Sequence, residues 1–123
     1  MSKEEAMKIL EFHGDFSKKN SFLYHVKEVS LVNENIFHEI MNCVITLAKS
    51  GINIQEVACI YNIIFWCRSW LDSGVLEQRM DLHSRDLLRI YVEIIENALY
   101  YLLHGNEEEA FWVYSEFLDG RYE

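Results

Sequence analysis

Proline is absent from the 123 residues, and glycine occurs only five times. A chain so poor in helix breakers is free to form long uninterrupted helices, and its few glycines are the natural places for them to stop. Strict polar–apolar alternation is also missing, which excludes half-buried strands. Cysteine is scarce and odd in number: Cys43, Cys59 and Cys67. Cys59 and Cys67 are about 12 Å apart along one predicted helix, too far for a disulfide. All three lie in apolar runs, so buried free thiols in a reducing compartment are expected. Apolar stretches are broken by Asn62 and Asn97, well short of a membrane span. The start, Met1-Ser2-Lys3-Glu4-Glu5, has no apolar core of a signal peptide. The expectation is a cytoplasmic protein with no membrane contact.

Positive charge is also in short supply. Twenty acids face eleven bases, a net charge of −9. The imbalance is local: residues 1–30 are neutral, 31–60 and 61–100 carry −2 each, and 101–123 carry −5. Such an acidic pole repels phosphate backbones, which argues against nucleic-acid binding, and it attracts basic proteins.

Half of the chain is apolar, with seven Phe, seven Tyr and three Trp. That suffices for a real core in one domain, residues 1–123, without metal or disulfide staples. The expected fold is all-α, a compact bundle of about six helices. The pairs Ser2/Glu5, Asn53/Glu56 and Asn106/Glu109 have capping-box spacing. Helices are predicted at about 3–13, 21–32, 34–50, 54–72, 84–104 and 107–119, with a possible short helix over 75–82. The third has one apolar arc, through Phe37, Ile40 and Val44. The fourth, 54–72, is apolar around most of its circumference, and reads as the central helix. Only Gln55, Asn62 and Ser69 form a polar strip on it, which is expected to face solvent.

Catalytic patterns are wanting. His38-Glu39-Ile40-Met41-Asn42 starts like a zinc-protease helix, but Asn42 stands where the second His belongs. His38 and Glu39 then read as a solvated pair. His13 and His104 sit at helix C-termini, where they suit the helix dipole. There is neither a glycine-rich phosphate loop nor a nucleophile elbow. Small helical ribonucleases place four to six residues between Arg and His, and only three separate Arg79 from His83. Arg79 and His83 are closely spaced, with Asp81 between them, which makes this a poor match. No metal, cofactor or catalytic residue is expected, and the chain reads as a non-enzyme.

The more informative feature is aromatic side chains on acidic faces. On the last helix Ala110, Phe111, Tyr114, Phe117 and Leu118 share an apolar arc. The opposite arc holds Glu108, Glu109, Trp112, Glu116 and Asp119. Trp112 is thus expected to project among four carboxylates, a place with no folding rationale but with the character of a binding hot spot. The alternative is packing against the tail Arg121-Tyr122-Glu123. The fifth helix repeats the pattern more weakly, with Tyr100 on the side of Glu93 and Glu96. First-turn acids at Glu107-Glu108-Glu109 also favour the helix dipole.

In size, acidity and helical architecture, with Glu107-Glu108-Glu109, Trp112, Glu116, Asp119 and the Tyr100-Tyr101 pair, the chain resembles immunity proteins of bacterial toxin systems, especially those of contact-dependent growth inhibition. The resemblance spans the chain as a type and includes no diagnostic motif. Helical immunity proteins of colicin nucleases also carry a Tyr-Tyr pair, but set among Pro, Gly and Asp. This chain departs from that setting, so no binding residue is carried over. The resemblance implies a cytosolic protein that binds a basic toxin domain, a nuclease for example, and occludes its active site or substrate path. A self-associating helical adaptor is the alternative, and a small helical ribonuclease a third reading.

Overall fold

The computed structural model describes residues 1–122; Glu123 lies outside the described residues. The fold is all-helical, as the sequence implies. Helix α1 spans Lys3–His13. Helix α2 opens as an α-turn, Phe22–Tyr24, and continues as a π-turn, His25–Val29. Then follow α3 (Glu34–Ala48), α4 (Ile54–Asp72), α5 (Leu82–Leu103), α6 (Glu107–Ala110) and α7 (Trp112–Leu118). None is long and apolar enough to cross a membrane.

Polar side chains start these helices where the sequence places them. Ser2, Asn33, Asn53, Asp81 and Asn106 each accept a hydrogen bond from the amide three residues on. Each such cap is worth about 1 kcal/mol. Of the three predicted capping boxes only Asn53/Glu56 has both reciprocal bonds. Glu56 is buried and also pairs with Lys3 at 3.1 Å, which ties the start of α4 to the start of α1.

One continuous core joins the helices. The α3 arc is buried as expected: Phe37, Ile40, Met41, Val44 and Leu47 are inaccessible. Helices α1 and α3 pack together, and α5 lies against α3, α4, α6 and α7. The link from α4 to α5 brings the two helices back antiparallel, so that Arg68 meets Glu96 and Tyr61 lies by Leu103. All three thiols are free, and burial pushes them up, Cys43 to about 12 and Cys59 to about 11.

Four sequence expectations need correction. Residues 75–82 do not form a separate helix: consecutive turns lead to Asp81, the cap of α5. The second helix stops at Val29, because Ser30 takes a left-handed conformation, φ 59°. Asn62 is not part of a solvent-facing strip. Its Nδ2 donates to the Gly14 carbonyl at 2.8 Å, fastening the end of α1 to α4. A Cβ on Gly14 would sit 2.8 Å from that nitrogen, so a larger residue here would displace the Asn62 amide from its bond. Finally, the last helix is broken. Phe111 (φ −111°, ψ 4°) separates α6 from α7. Tyr114 still docks on the core, but Leu118, expected inside, is exposed.

Candidate functional site

Helices α6 and α7 are held down by an aromatic cluster. Phe37 of α3 stacks on Tyr91 of α5, centroids 4.0 Å apart and nearly parallel. Tyr114 and Phe117 meet Phe37 edge-on, each at 5.8 Å. The Tyr114 hydroxyl and His38 Nδ1 pair at 2.7 Å. His38 therefore belongs to this junction rather than to a solvated pair with Glu39. With its inner side so fixed, α7 turns Trp112 outward, and the residue is 57% exposed.

Trp112 lines an open groove of about 220 Å³ with Val113, Glu116, Arg121 and Tyr122. Its acidic surroundings differ from the expected ring of four carboxylates. Arg121 donates from Nε to Glu116 at 3.0 Å, and its guanidinium reaches Asp119 at 2.8 Å. The tail cation thus pairs with both acids beyond Trp112 and halves their net charge. Glu107, Glu108 and Glu109 are exposed and make no ion pair among the described residues. The free negative charge lies on the N-terminal side of Trp112, one turn away.

The remaining predicted residues, Glu93, Glu96 and Tyr100, share one face of α5 but meet different neighbours. Glu93 accepts from the Tyr122 hydroxyl. Burial and the Glu93 carboxylate push the Tyr122 hydroxyl up to about 12. Glu96, one turn further along the same face, pairs with Arg68 of α4. That hydrogen bond raises the guanidinium's already high pKa. Tyr100 lies on the α4 side as well. It borders a cleft of about 330 Å³ with Tyr61, Ile64, Glu96, Leu99 and Leu103.

This second face was missed by sequence reasoning. Along the outer side of α4, Ile54, Ala58, Tyr61 and Phe65 recur at helical spacing and are exposed. Leu103 and Tyr100 of α5 continue the patch. The available signal was α4 itself: a helix apolar all round, in a domain of this size, has more apolar surface than its neighbours can cover.

A third cleft, about 400 Å³, opens between α1 and α3 and contains the one buried histidine among the described residues. His13 is not a cation at the end of α1. Its Nδ1 accepts the Phe22 amide at 3.1 Å, so Nε2 carries the proton and faces Glu39 at 3.3 Å. Burial lowers its pKa against the opposing pull of Glu39. Both ring nitrogens are engaged, so neither is free to act as a general base. Arg79, Asp81 and His83 do not line any of these clefts. The Arg79 guanidinium donates to the Lys27 carbonyl, and Asp81 caps α5. Among the described residues no group of three or more His, Cys, Asp or Glu is placed to hold a metal. No protein-family model, curated protein or solved structure matches this chain.

Proposed function

We propose that this chain binds and neutralises a basic protein partner, in the manner of an immunity protein facing a toxin domain, a nuclease being the best-suited target. The observation that carries the reading is Trp112. It is a large, largely exposed aromatic at the acidic end of the molecule, beside three carboxylates with no internal partner. An exposed indole contributes little to its own fold, and Trp is the residue most enriched at binding hot spots. In this proposal Glu107, Glu108 and Glu109 stand where substrate phosphates would lie and draw in the partner's Lys and Arg. Trp112 then anchors the contact in an apolar pocket. The partner is occluded without any chemistry by this chain, and binding takes place in the cytosol.

The test is co-expression with the product of the adjacent toxin gene, in particular the variable C-terminal domain of a large secreted protein. Growth should be restored and the two chains should co-purify. Association should slow steeply with added salt, because steering is screened. Trp112→Ala should cost about 2 kcal/mol or more of binding with little change in thermal stability. Retention of both full affinity and the salt response by this variant would remove the α6–α7 end as the binding surface. A failure to protect cells would sink the immunity reading itself.

A further inference from the structure

The outer face of the α4–α5 pair has no partner within the chain. Its five large side chains, Ile54, Tyr61, Phe65, Tyr100 and Leu103, range from 47% exposed (Phe65) to 79% (Ile54). At on the order of 100 Å² each, they present roughly 500 Å² of contiguous apolar surface, near the upper end for the largest patch on a monomer. We propose that this face is a homodimer interface, in which a second copy of this chain is the occupant.

Three features select a second copy. The first is charge. The exposed stripe Ile54, Ala58, Tyr61 and Phe65 carries no charge; the charges of this side, Arg68 paired with Glu96 and the nearby Glu93 and Asp72, lie at one end of it. A basic partner has nothing along that stripe to attract it, whereas a second copy offers the same uncharged stripe in return. The second is self-complementarity. Tyr61 and Tyr100 flank an open cleft, and Phe65 stands one helical turn along α4 from Tyr61. Across a two-fold axis each Phe65 can enter the other copy's cleft, as an isologous contact demands. Arg68 and Glu96, each partly exposed, are able to exchange partners between copies at the rim. The third is area. The apolar centre with an ordinary polar rim reaches about the 800 Å² per partner typical of a stable complex.

Sedimentation velocity on the full chain across the micromolar range decides the matter. The expected result is a rise from one chain to two with concentration. Added salt should favour the dimer by screening the repulsion between two acidic chains, the opposite of its effect on a basic partner. Phe65→Glu should weaken dimerisation by about 30-fold or more. Leu103→Lys should do the same, and it serves as the second variant because an exposed Lys in the last turn of α5 suits the helix dipole and leaves the fold intact. Trp112→Ala should leave the dimer unchanged, so this inference and the proposed function fail separately. A chain that stays monomeric at every concentration would overturn the proposal. So would a dimer that survives both α4–α5 variants or is lost with Trp112→Ala.

Discussion

The two exposed faces of this molecule are made from opposite chemistry. At the α6–α7 end a single aromatic, Trp112, stands among charges, and its position depends on a short helix only seven residues long. On the α4–α5 side several apolar groups stand together with the charges at one end, on two helices of 19 and 22 residues. The first suits fast, salt-sensitive capture of a charged partner. The second suits a contact driven by apolar area and shape. A long helix pair holds its surface by its own packing, whereas α7 has to be docked by other elements.

That dependence gives the largest expected effect. Phe37 is inaccessible and touches Tyr91, Tyr114 and Phe117 at once. Phe37→Ala should cost about 3–5 kcal/mol, a large part of the stability of a domain of this size. The urea midpoint should fall. Amide exchange should quicken first in α7, ahead of α4 and α5. Equal loosening of α4 would show that the two faces are not independently held.

A smaller effect separates the scaffold from both faces. His13 lies between α1, α2 and α3, faced by the Phe22 amide, Glu39 and, at longer range, His25. Burial, the largest influence, lowers its pKa below 6.5 in the folded protein. The unfolded chain therefore binds the proton more readily than the folded one. The associated stability is complete above about pH 6.5 and is lost as the pH falls through 6.5 toward the folded value. Protonation would also set an N–H on Nδ1 against the Phe22 amide. Urea melts across this range should show stability falling with acid, and His13→Gln should flatten that dependence. An unchanged slope in the variant would assign the effect to other groups.

How far the sequence led differs between the two faces for the same reason. Caps at Ser2, Asn53 and Asn106 are local chemistry, and helix starts followed from them. The exposure of Trp112 followed from periodicity. The break at Phe111 did not, because Ala110, Tyr114 and Phe117 would share one face of an unbroken helix as well, so periodicity carries no sign of it. The α4 face was illegible in another way. Periodicity shows which sides of a helix are apolar, but not how many neighbours the chain has to cover them. Asn62 looked like a solvent marker because its partner, the Gly14 carbonyl, is a backbone atom 48 residues away.

The smallest expected effect probes the acidic end most finely. Arg121 is well exposed, and its pairs with Glu116 and Asp119 are surface pairs, worth about 0–1 kcal/mol. Arg121→Ala should therefore barely move the melting temperature. It removes the one cation beside Trp112 and releases two carboxylates, so the field there becomes more negative. If steering brings in a basic partner, this variant should associate faster than the parent at low salt, with a steeper salt dependence and little change once salt screens the field. Dimerisation through α4–α5 should respond weakly and in the opposite sense, because added negative charge increases repulsion between copies. Slower association of Arg121→Ala would mean that the guanidinium itself touches the partner. The contact would then be read as a mixed-charge surface centred on Trp112 and Arg121, with the free acids of α6 at its edge.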